Sequence, residues 1–515
     1  MKKLLLYYPR QNLPLLFMSN NNNASTSPPS LTSGWLLLLG ALTGLAPLSI
    51  DMYLPGFPAI EKSLLAQAGS AQLTLASYFI GLAIGQLFYG PLSDRFGRRL
   101  PLLIGLVIYI LASFGCAFTS SIPELIFWRF LQALGGCAGM VITMAVIRDR
   151  CSANDAARAF SMLILVMGLA PILAPLIGGW IVTSFDWRVL FITLGVAGIL
   201  GLIAVYFWLE ETHDTRHEPP LVLGRILRNY GRLFMDRRFI GYTLSGGLAR
   251  AGMFAYIAGS PFVFIEYYHI PAQHYGWIFG MNAAGLILVS QINVWRLKKH
   301  RATVLLSRAL WLPGGIGVLL LGLSLTGHVT LPLLLIGIFL FVASIGYIGP
   351  DAGAATLATH GQQAGTASAL MGSLQFGLAT IAGGLVNLLH DGTTFPMVTV
   401  MAGCGIGAWL AHRLIIVRYI RRYSRQQKAR EYAGFLFRHW HQSVGATHRG
   451  RSACCAAASR RWYKRLIPLI TARMDAVTRL SWIPAPYTVP GWPSFSSSAN
   501  ATALAAAPAP SARSS

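Results

Sequence analysis

The sequence has little charge, and most of the charge that it has is positive. Asp, Glu, Lys and Arg make up 11% of the 515 residues, whereas they make up roughly 25% of an ordinary soluble domain. Only 17 residues are acidic against 41 Lys and Arg, and 54% of the chain is hydrophobic. This balance excludes a water-soluble globular domain over most of the length and indicates that the lipid bilayer is the main solvent.

The sequence also lacks the motifs of most enzymes. It has no His/Glu metal cluster, no Ser/His/Asp set and no phosphate-binding Gly-Lys loop, so we predict no catalytic residues, no metal and no cofactor. A membrane-embedded enzyme or a receptor is the rival class, but it has no visible residues to support it. Without a nucleotide-binding loop, an ion gradient is the expected energy source. The cysteines show no metal-ligand spacing and are interpreted as packing residues or free thiols: Cys116, Cys137, Cys151, Cys404, Cys454 and Cys455.

Apolar runs of about twenty residues, each long enough to cross a hydrocarbon core about 30 Å thick, recur along the chain. They predict an all-α integral membrane protein with twelve transmembrane helices in two pseudo-symmetric halves of six. The halves are residues 34–208 and 239–417, the middle loop is 209–238, and residues 1–33 are predicted to be a disordered leader in which Met18 is an alternative start. The predicted spans are 34–56, 71–92, 100–119, 123–147, 161–184, 187–208, 239–264, 275–295, 303–325, 330–350, 366–388 and 395–417.

The orientation follows from the positions of Lys and Arg in the short loops. One set of alternate loops carries most of these residues, whereas the other set carries only Lys62 and the borderline Arg188. By the positive-inside rule, both termini and the middle loop are predicted to be cytoplasmic.

The stretch GPLSDRFGRR joins the second and third predicted spans. Gly90 and Gly97 would allow a tight reversal between two helices, and Asp94 can pair with a neighbouring arginine. The equivalent RLKKHR segment of the second half lacks the acid and the glycines. We therefore expect Asp94, Arg95 and Arg98 to form the main cytoplasmic latch between moving halves; the alternative is that these charges set the topology alone.

Several motifs together resemble the major facilitator superfamily. GPLSDRFGRR is similar to the family pattern G-x-L-A-D-R-x-G-R-R, RFLQALGG to R-x-x-Q-G, and GLAPILAPLIGG to the antiporter motif that ends in G-P-x-x-G-G. APLSIDMYLP, AGMF and AGTASAL resemble the Bcr/CflA, or bicyclomycin-resistance, branch. The resemblance runs from about residue 34 to residue 417. It implies a proton-coupled antiporter that exports small drugs such as bicyclomycin or sulfonamides across the bacterial inner membrane by alternating access. We expect the protein to be a monomer.

Charged residues inside a predicted span cost about 2.5–3.5 kcal/mol each on insertion scales, and two of them, in the first and fourth spans, are candidates for proton coupling. Asp51 and Arg129 sit about 6 Å and about 9 Å from the outer ends of their spans, a depth that permits an ion pair. In the resembled exporters, such an acid and such an arginine serve proton coupling. We predict that Asp51 carries the proton and that Arg129 tunes its affinity; the alternative is a fixed ion pair that orients two helices.

Other polar residues within the spans are candidates for the substrate cavity. Arg250 falls near the midplane of the seventh span and could meet an anionic or carbonyl-rich substrate, or could instead snorkel or bind a backbone carbonyl. Tyr256, Asn282 and Gln375 are further cavity candidates, with ordinary packing as the alternative for each.

The fifth span is rich in glycine and proline, which let neighbouring helices approach closely and bend. The residues Pro175, Gly178 and Gly179 are assigned to the interface that rocks between inward-open and outward-open states. The alternative is the general enrichment of these residues in transmembrane helices.

Residues 418–515 form a basic, low-complexity tail without a run long enough to span the membrane. We predict that it is a disordered extension, with binding to anionic lipid as an alternative. No aromatic-basic module supports binding to nucleic acid. For the whole chain, the rival transport function is the export or import of a small metabolite such as an amino acid, dipeptide or sugar.

Overall fold

The computed structural model describes residues 33–67, 69–151, 153–213, 222–358, 360 and 363–420, and the regular secondary structure of these residues is helical throughout. Twelve of the helical segments are long and apolar enough to cross a membrane. The predicted all-α, twelve-span architecture is therefore confirmed. The predicted leader and almost all of the predicted tail lie outside the described residues.

The first half contains six spans. The first span combines α1 (Ser33–Asp51), a 3₁₀ turn (Leu54–Gly56) and the short α2 (Phe57–Ser63). The remaining spans are single helices: α3 (Ser70–Phe96), α4 (Arg99–Ala117), α5 (Ile122–Arg150), α6 (Ala153–Ser184) and α7 (Arg188–Trp208).

The second half follows a connecting helix, α8 (Leu223–Met235). The helices of its spans are α9 (Arg237–Pro261), α10 (Ala272–Leu297), α11 (Ala302–Ala309), α12 (Trp311–Leu325), α13 (Leu331–Leu357), α14 (Ala364–Leu388) and α15 (Phe395–Ala411). Helices α9 and α15 continue as π-helical turns, Phe262–Tyr267 and His412–Val417.

Three of the differences between the sequence-based boundaries and the structure are larger than a shift of a few residues. Helix α6 begins at Ala153, eight residues before the predicted start. The ninth span is divided at Leu310 into α11 and α12. The middle loop contains α8, which was not predicted because its arginines mask its apolar residues in a hydropathy window.

The two halves meet through two helix pairs, because α3 packs against α14 and α6 packs against α10. At one end of the bundle, which we call the Pro55 end, this junction is closed. There the Leu54–Gly56 turn contacts α6 and α10, and the Asn387 amide donates to the Gly69 carbonyl at 2.6 Å. The opposite end carries the GPLSDRFGRR segment, and we call it the motif end.

Candidate functional site

Asp51 is the last residue of α1 and lies between the two halves. It is 5% exposed, and it forms no hydrogen bond or ion pair with the described residues. Tyr256 and Tyr275 of the second half lie within electrostatic range of its carboxyl group. A buried carboxyl without a countercharge therefore lies near aromatic residues of the opposite half.

Arg129 of α5 is fully buried and has other partners than Asp51. Its Nη2 donates to the Ser49 carbonyl at 2.9 Å and its Nη1 to Gln132 Oε1 at 2.6 Å. Its guanidinium lies 4.1 Å from the ring centroids of Tyr53 and Tyr78.

The ion pair between Asp51 and Arg129 that the sequence permitted is therefore not formed in this conformation. The physical reason is helical geometry. Arg129 binds the backbone two residues before Asp51, and positions two apart on a helix point about 200° apart. Arg129 fixes α1, whereas the Asp51 side chain stays unpaired.

The Arg129 contacts continue as a hydrogen-bond network within the first half. Gln132 donates to Ser113 Oγ at 2.8 Å, and Ser49 Oγ shares a 2.8 Å hydrogen bond with Tyr109. Sequence analysis found Gln132 only as part of the R-x-x-Q pattern and gave it no role. The i, i+3 spacing of Arg129 and Gln132, which places both on one helix face, was the available signal.

Tyr256 and Asn282, two of the predicted cavity residues, are brought together. The Asn282 amide donates to the Tyr256 hydroxyl at 2.9 Å, and the Tyr256 ring stacks on Phe279 with centroids 5.8 Å apart. Tyr275, which shares a 2.7 Å hydrogen bond with Ser260, completes an aromatic wall beside Asp51. Sequence analysis missed Tyr275 and Phe279, which have no signal beyond their aromatic character.

Arg250 and Gln375 lie apart from this wall. Arg250 is six residues, about 1.7 turns, before Tyr256 on α9, which is about 9 Å along the helix. Its guanidinium approaches Gly349 of α13, and its Nε is buried without a partner. Gln375 of α14 is half-buried and packs beside Gly247.

At the motif end, Arg98 joins three elements. Its side chain is 3% exposed and binds Asp94 at 2.5 Å and Asp149 at 2.7 Å. Burial lowers the pKa of Arg98, but hydrogen bonds to Asp149 and Asp94 outweigh burial and raise it overall. The predicted pairing of Asp94 is confirmed, whereas Asp149, at the far end of α5, was missed because it lies 51 residues away in the sequence.

The glycines of this segment differ from the prediction. Gly97 has φ +82° and makes the reversal after α3. The prediction for Gly90 was wrong, because Gly90 lies inside α3 and no neighbouring atom would obstruct a side chain there. Arg95 lies in the last turn of α3 and is half-buried.

Glu211, which follows α7, binds the backbone of the reversal between α3 and α4. Its carboxylate accepts the backbone N–H groups of Arg98 at 2.8 Å and Arg99 at 3.0 Å, and those of Thr212 and His213 at 2.9 and 3.0 Å. Burial raises the pKa of Glu211, but these four donors outweigh burial and lower it overall. Sequence analysis missed Glu211 because its partners are backbone groups.

The glycine pair of α6 faces both halves. A Cβ on Gly178 would overlap the carbonyl oxygen of Met52, next to Asp51, and a Cβ on Gly179 would lie 2.6 Å from the carbonyl oxygen of Ala272 in α10. Pro175 lies inside the same continuous helix. The three residues therefore place α6 against the end of the first span and against the opposite half.

A second buried carboxyl, Asp351 of α13, was not predicted. It is 0% exposed and accepts the Asn293 amide of α10 at 3.0 Å. Asp351 Oδ2 and Asn293 Oδ1 remain without partners. No group of three or more His, Cys, Asp or Glu residues in the described part of the chain could hold a metal ion.

Comparisons with known proteins agree with this architecture. Residues 39–384 match the model of the Major Facilitator Superfamily. The chain is 33% identical to a bicyclomycin resistance protein homolog of Haemophilus influenzae, over 75% of this chain and 97% of the relative. It is 30% identical to the multidrug resistance protein MdtL of Klebsiella pneumoniae, over 66% of this chain and 85% of the relative.

A solved structure of a POT family transporter in complex with 5-aminolevulinic acid shares the fold. Its TM-score is 0.62 at 14% identity, and the match covers 76% of this chain and 98% of that chain. This likeness shows the fold alone. Together with the motif segments and the sequence matches, it leads to one conclusion: the chain belongs to the Major Facilitator Superfamily and is a multi-pass membrane transporter.

Proposed function

We propose that this transporter exports small drugs across the bacterial inner membrane in exchange for protons. The observation that carries the proposal is Asp51, a buried carboxyl that lies between the halves without an ion-pair partner in the described structure. A lone buried carboxylate is costly, whereas a protonated carboxyl is far less so. Closure of the halves around Asp51 therefore favours the protonated form.

The alternation of the two ends couples this proton to the substrate. Asp51 takes a proton while the Pro55 end is open and drug leaves, and it gives the proton up when the motif end is open. Arg129 cannot neutralise Asp51 in the present conformation, because the donors that Arg129 uses bind Ser49 and Gln132. Binding of the proton to Asp51 and binding of the drug therefore compete with each other.

Two observations support a drug-like substrate. Two of the relatives described above carry bicyclomycin resistance or multidrug resistance in their names. The wall beside Asp51 is aromatic, with amide and hydroxyl groups from Asn282 and Tyr256, a lining suited to small amphipathic molecules. The partly buried guanidinium of Arg250 adds a place for an anionic or carbonyl group.

The test is drug-induced proton release from the purified protein, with bicyclomycin and a sulfonamide as probes. Wild type is expected to release protons, and Asp51→Asn to release none. Asp351→Asn, which removes another buried carboxyl of the described residues, is the matched control and is expected to release protons as wild type does. Undiminished release from Asp51→Asn would remove Asp51 from the coupling role.

A second test addresses the substrate. An efflux-deficient host that expresses the protein is expected to become less susceptible to bicyclomycin, to sulfonamides or to both. Unchanged susceptibility across a wider drug panel would contradict drug export and favour a metabolite as substrate.

A further inference from the structure

His360 lies at the motif end, in the link between α13 and α14. Its backbone N–H donates to the Leu357 carbonyl at 3.0 Å, and its own carbonyl accepts the Gln363 N–H at 2.9 Å. Its side chain is 14% exposed, and its ring meets the ring of Phe239 with centroids 5.7 Å apart. The imidazole is therefore fixed in place and mostly buried beside the start of α9.

Both ring nitrogens of His360 face oxygen atoms that can only accept. Nδ1 is 3.2 Å from the Thr356 carbonyl oxygen, and Nε2 is 3.3 Å from Asp236 Oδ2. A neutral imidazole carries a proton on one nitrogen, so one of the two contacts would bring a lone pair against an oxygen. The charged ring carries a proton on both nitrogens and attracts the carboxylate. These contacts therefore favour protonated His360.

Asp236 lies between α8 and α9, and its two carboxylate oxygens have different partners. Oδ1 accepts the N–H groups of Arg238 and Phe239 at 2.7 and 3.4 Å and so caps α9. Oδ2 faces His360. The contact between Asp236 and His360 therefore joins the α13–α14 link to the junction of α8 and α9.

A buried apolar cluster lies beside this contact and includes both halves. Leu233 of α8, Phe239 of α9 and Leu370 of α14 form part of it, and Leu87 of α3 packs against them. The Tyr230 hydroxyl of α8 also donates to the Leu87 carbonyl at 3.0 Å. A change at the His360 contact therefore acts on the segment that connects the two halves.

Asp236 is the acid in contact with His360, and the acids of the neighbouring helices have other partners. Helix α14 carries no charged residue, Asp351 of α13 binds an amide of α10, and Asp94 of α3 is already in an ion pair. The basic residues at the nearby helix ends are Arg148, Arg232, Arg237 and Arg238. Their charge opposes protonation of His360, but solvent screens exposed charges, whereas Asp236 is in direct contact.

We propose that His360 and Asp236 form a pH-sensitive joint at the motif end. Histidine is the side chain that ordinarily changes its charge between pH 5 and 8. At acidic pH, protonated His360 pairs with Asp236 and holds α8 and the start of α9 on the buried cluster. As the pH rises, His360 loses its charge and the joint loosens. The joint does not involve Asp51 and adds a response to acidity at one end of the transporter.

The test is thiol labelling of a Leu233→Cys reporter in the full-length protein without its six native cysteines. Leu233 is 3% exposed, so labelling reports opening of the cluster. Each rate is divided by that of a Met235→Cys reporter, which is 85% exposed, to remove the pH dependence of the thiol itself. The ratio is expected to rise roughly threefold from pH 5.5 to pH 8, the effect of a partly exposed ion pair. An equal rise in His360→Gln would overturn the joint.

Two further variants separate the ion pair from its surroundings. Asp236→Asn keeps an oxygen that can cap α9 but removes the charge, so its ratio should have the same high value at both pH values. His328→Gln, at an exposed position after α12, is the matched control and should keep the threefold rise. A rise that persists in Asp236→Asn, or one that disappears in His328→Gln, would contradict the assignment to this pair.

Discussion

At the scale of single residues, the two candidates for proton coupling, Asp51 and Arg129, lie in different environments. Arg129 donates to neutral acceptors and lies between two tyrosine rings, so its position is fixed. Asp51 has no such partner. We therefore propose a positioning role for Arg129, which is held, and a role in proton exchange for Asp51, which is left unpaired.

Arg129→Lys should destabilise the protein by about 2–3 kcal/mol, because an ammonium cannot stack between the rings and reach both acceptors at once. Thermal unfolding in detergent measures this loss. The control is Arg148→Lys, at an exposed position of the same helix, which should leave unfolding unchanged. If Arg129→Lys and Arg148→Lys unfold at the same temperature, the planar contacts of Arg129 contribute nothing to stability.

At the scale of elements, α6 is the helix that contacts both the end of the first span and α10 of the other half. Gly178 and Gly179 make these contacts at backbone distance, where a side chain would collide with a carbonyl oxygen. The close approach of α6 therefore depends on the absence of a Cβ and contributes to closure of the Pro55 end.

Gly179→Ala should loosen the Pro55 end, because the added methyl must push α6 away from Ala272. Labelling of a Tyr275→Cys reporter, in a background without the six native cysteines, measures the opening. Tyr275 is 0% exposed, and we expect labelling roughly tenfold faster, the effect of about 1.4 kcal/mol on opening.

The control for this prediction is Gly384→Ala, at a position with no atom within 4 Å of an added Cβ. It should label at the rate of the unsubstituted reporter. Identical rates for Gly179→Ala and Gly384→Ala would show that the α6–α10 contact does not control closure.

Glu211 gives the reversal between α3 and α4 a dependence on pH. Its pKa lies below the ordinary value of 4.5, so its stabilisation is present above pH 4.5 and is lost as the pH falls through the lowered pKa. Glu211→Gln should melt at a lower temperature than wild type at pH 7, and the difference should shrink below pH 4.5. A difference that grows on acidification would contradict the four-donor arrangement.

At the scale of the whole molecule, the twelve spans and the family could be predicted because hydropathy and short motifs depend only on local sequence. The break at Leu310 and the helix α8 could not, since neither changes the hydropathy of a long window. The second partner of Arg98 was hidden for another reason: Asp149 meets it only after three helices have packed.

The sequence named residues of the candidate site but not their pairing. Tyr256 and Asn282 form a hydrogen bond, and their place in a substrate cavity stays a prediction, whereas Asp51 and Arg129 do not form an ion pair. The rotation of a helix about its own axis determines which of its residues meets a given partner. Here Arg129 binds the Ser49 carbonyl instead of the Asp51 side chain. Membrane orientation remains a prediction from the distribution of Lys and Arg.

The most direct measurement compares net transport with exchange in proteoliposomes that contain wild type or Asp51→Asn. Wild type should accumulate drug against its gradient when a pH gradient is imposed, and it should also exchange labelled for unlabelled drug without one. Asp51→Asn should lose the accumulation and keep the exchange, because the halves still alternate around a neutral side chain. Accumulation that persists in Asp51→Asn would contradict the account, since the proton would then be carried elsewhere.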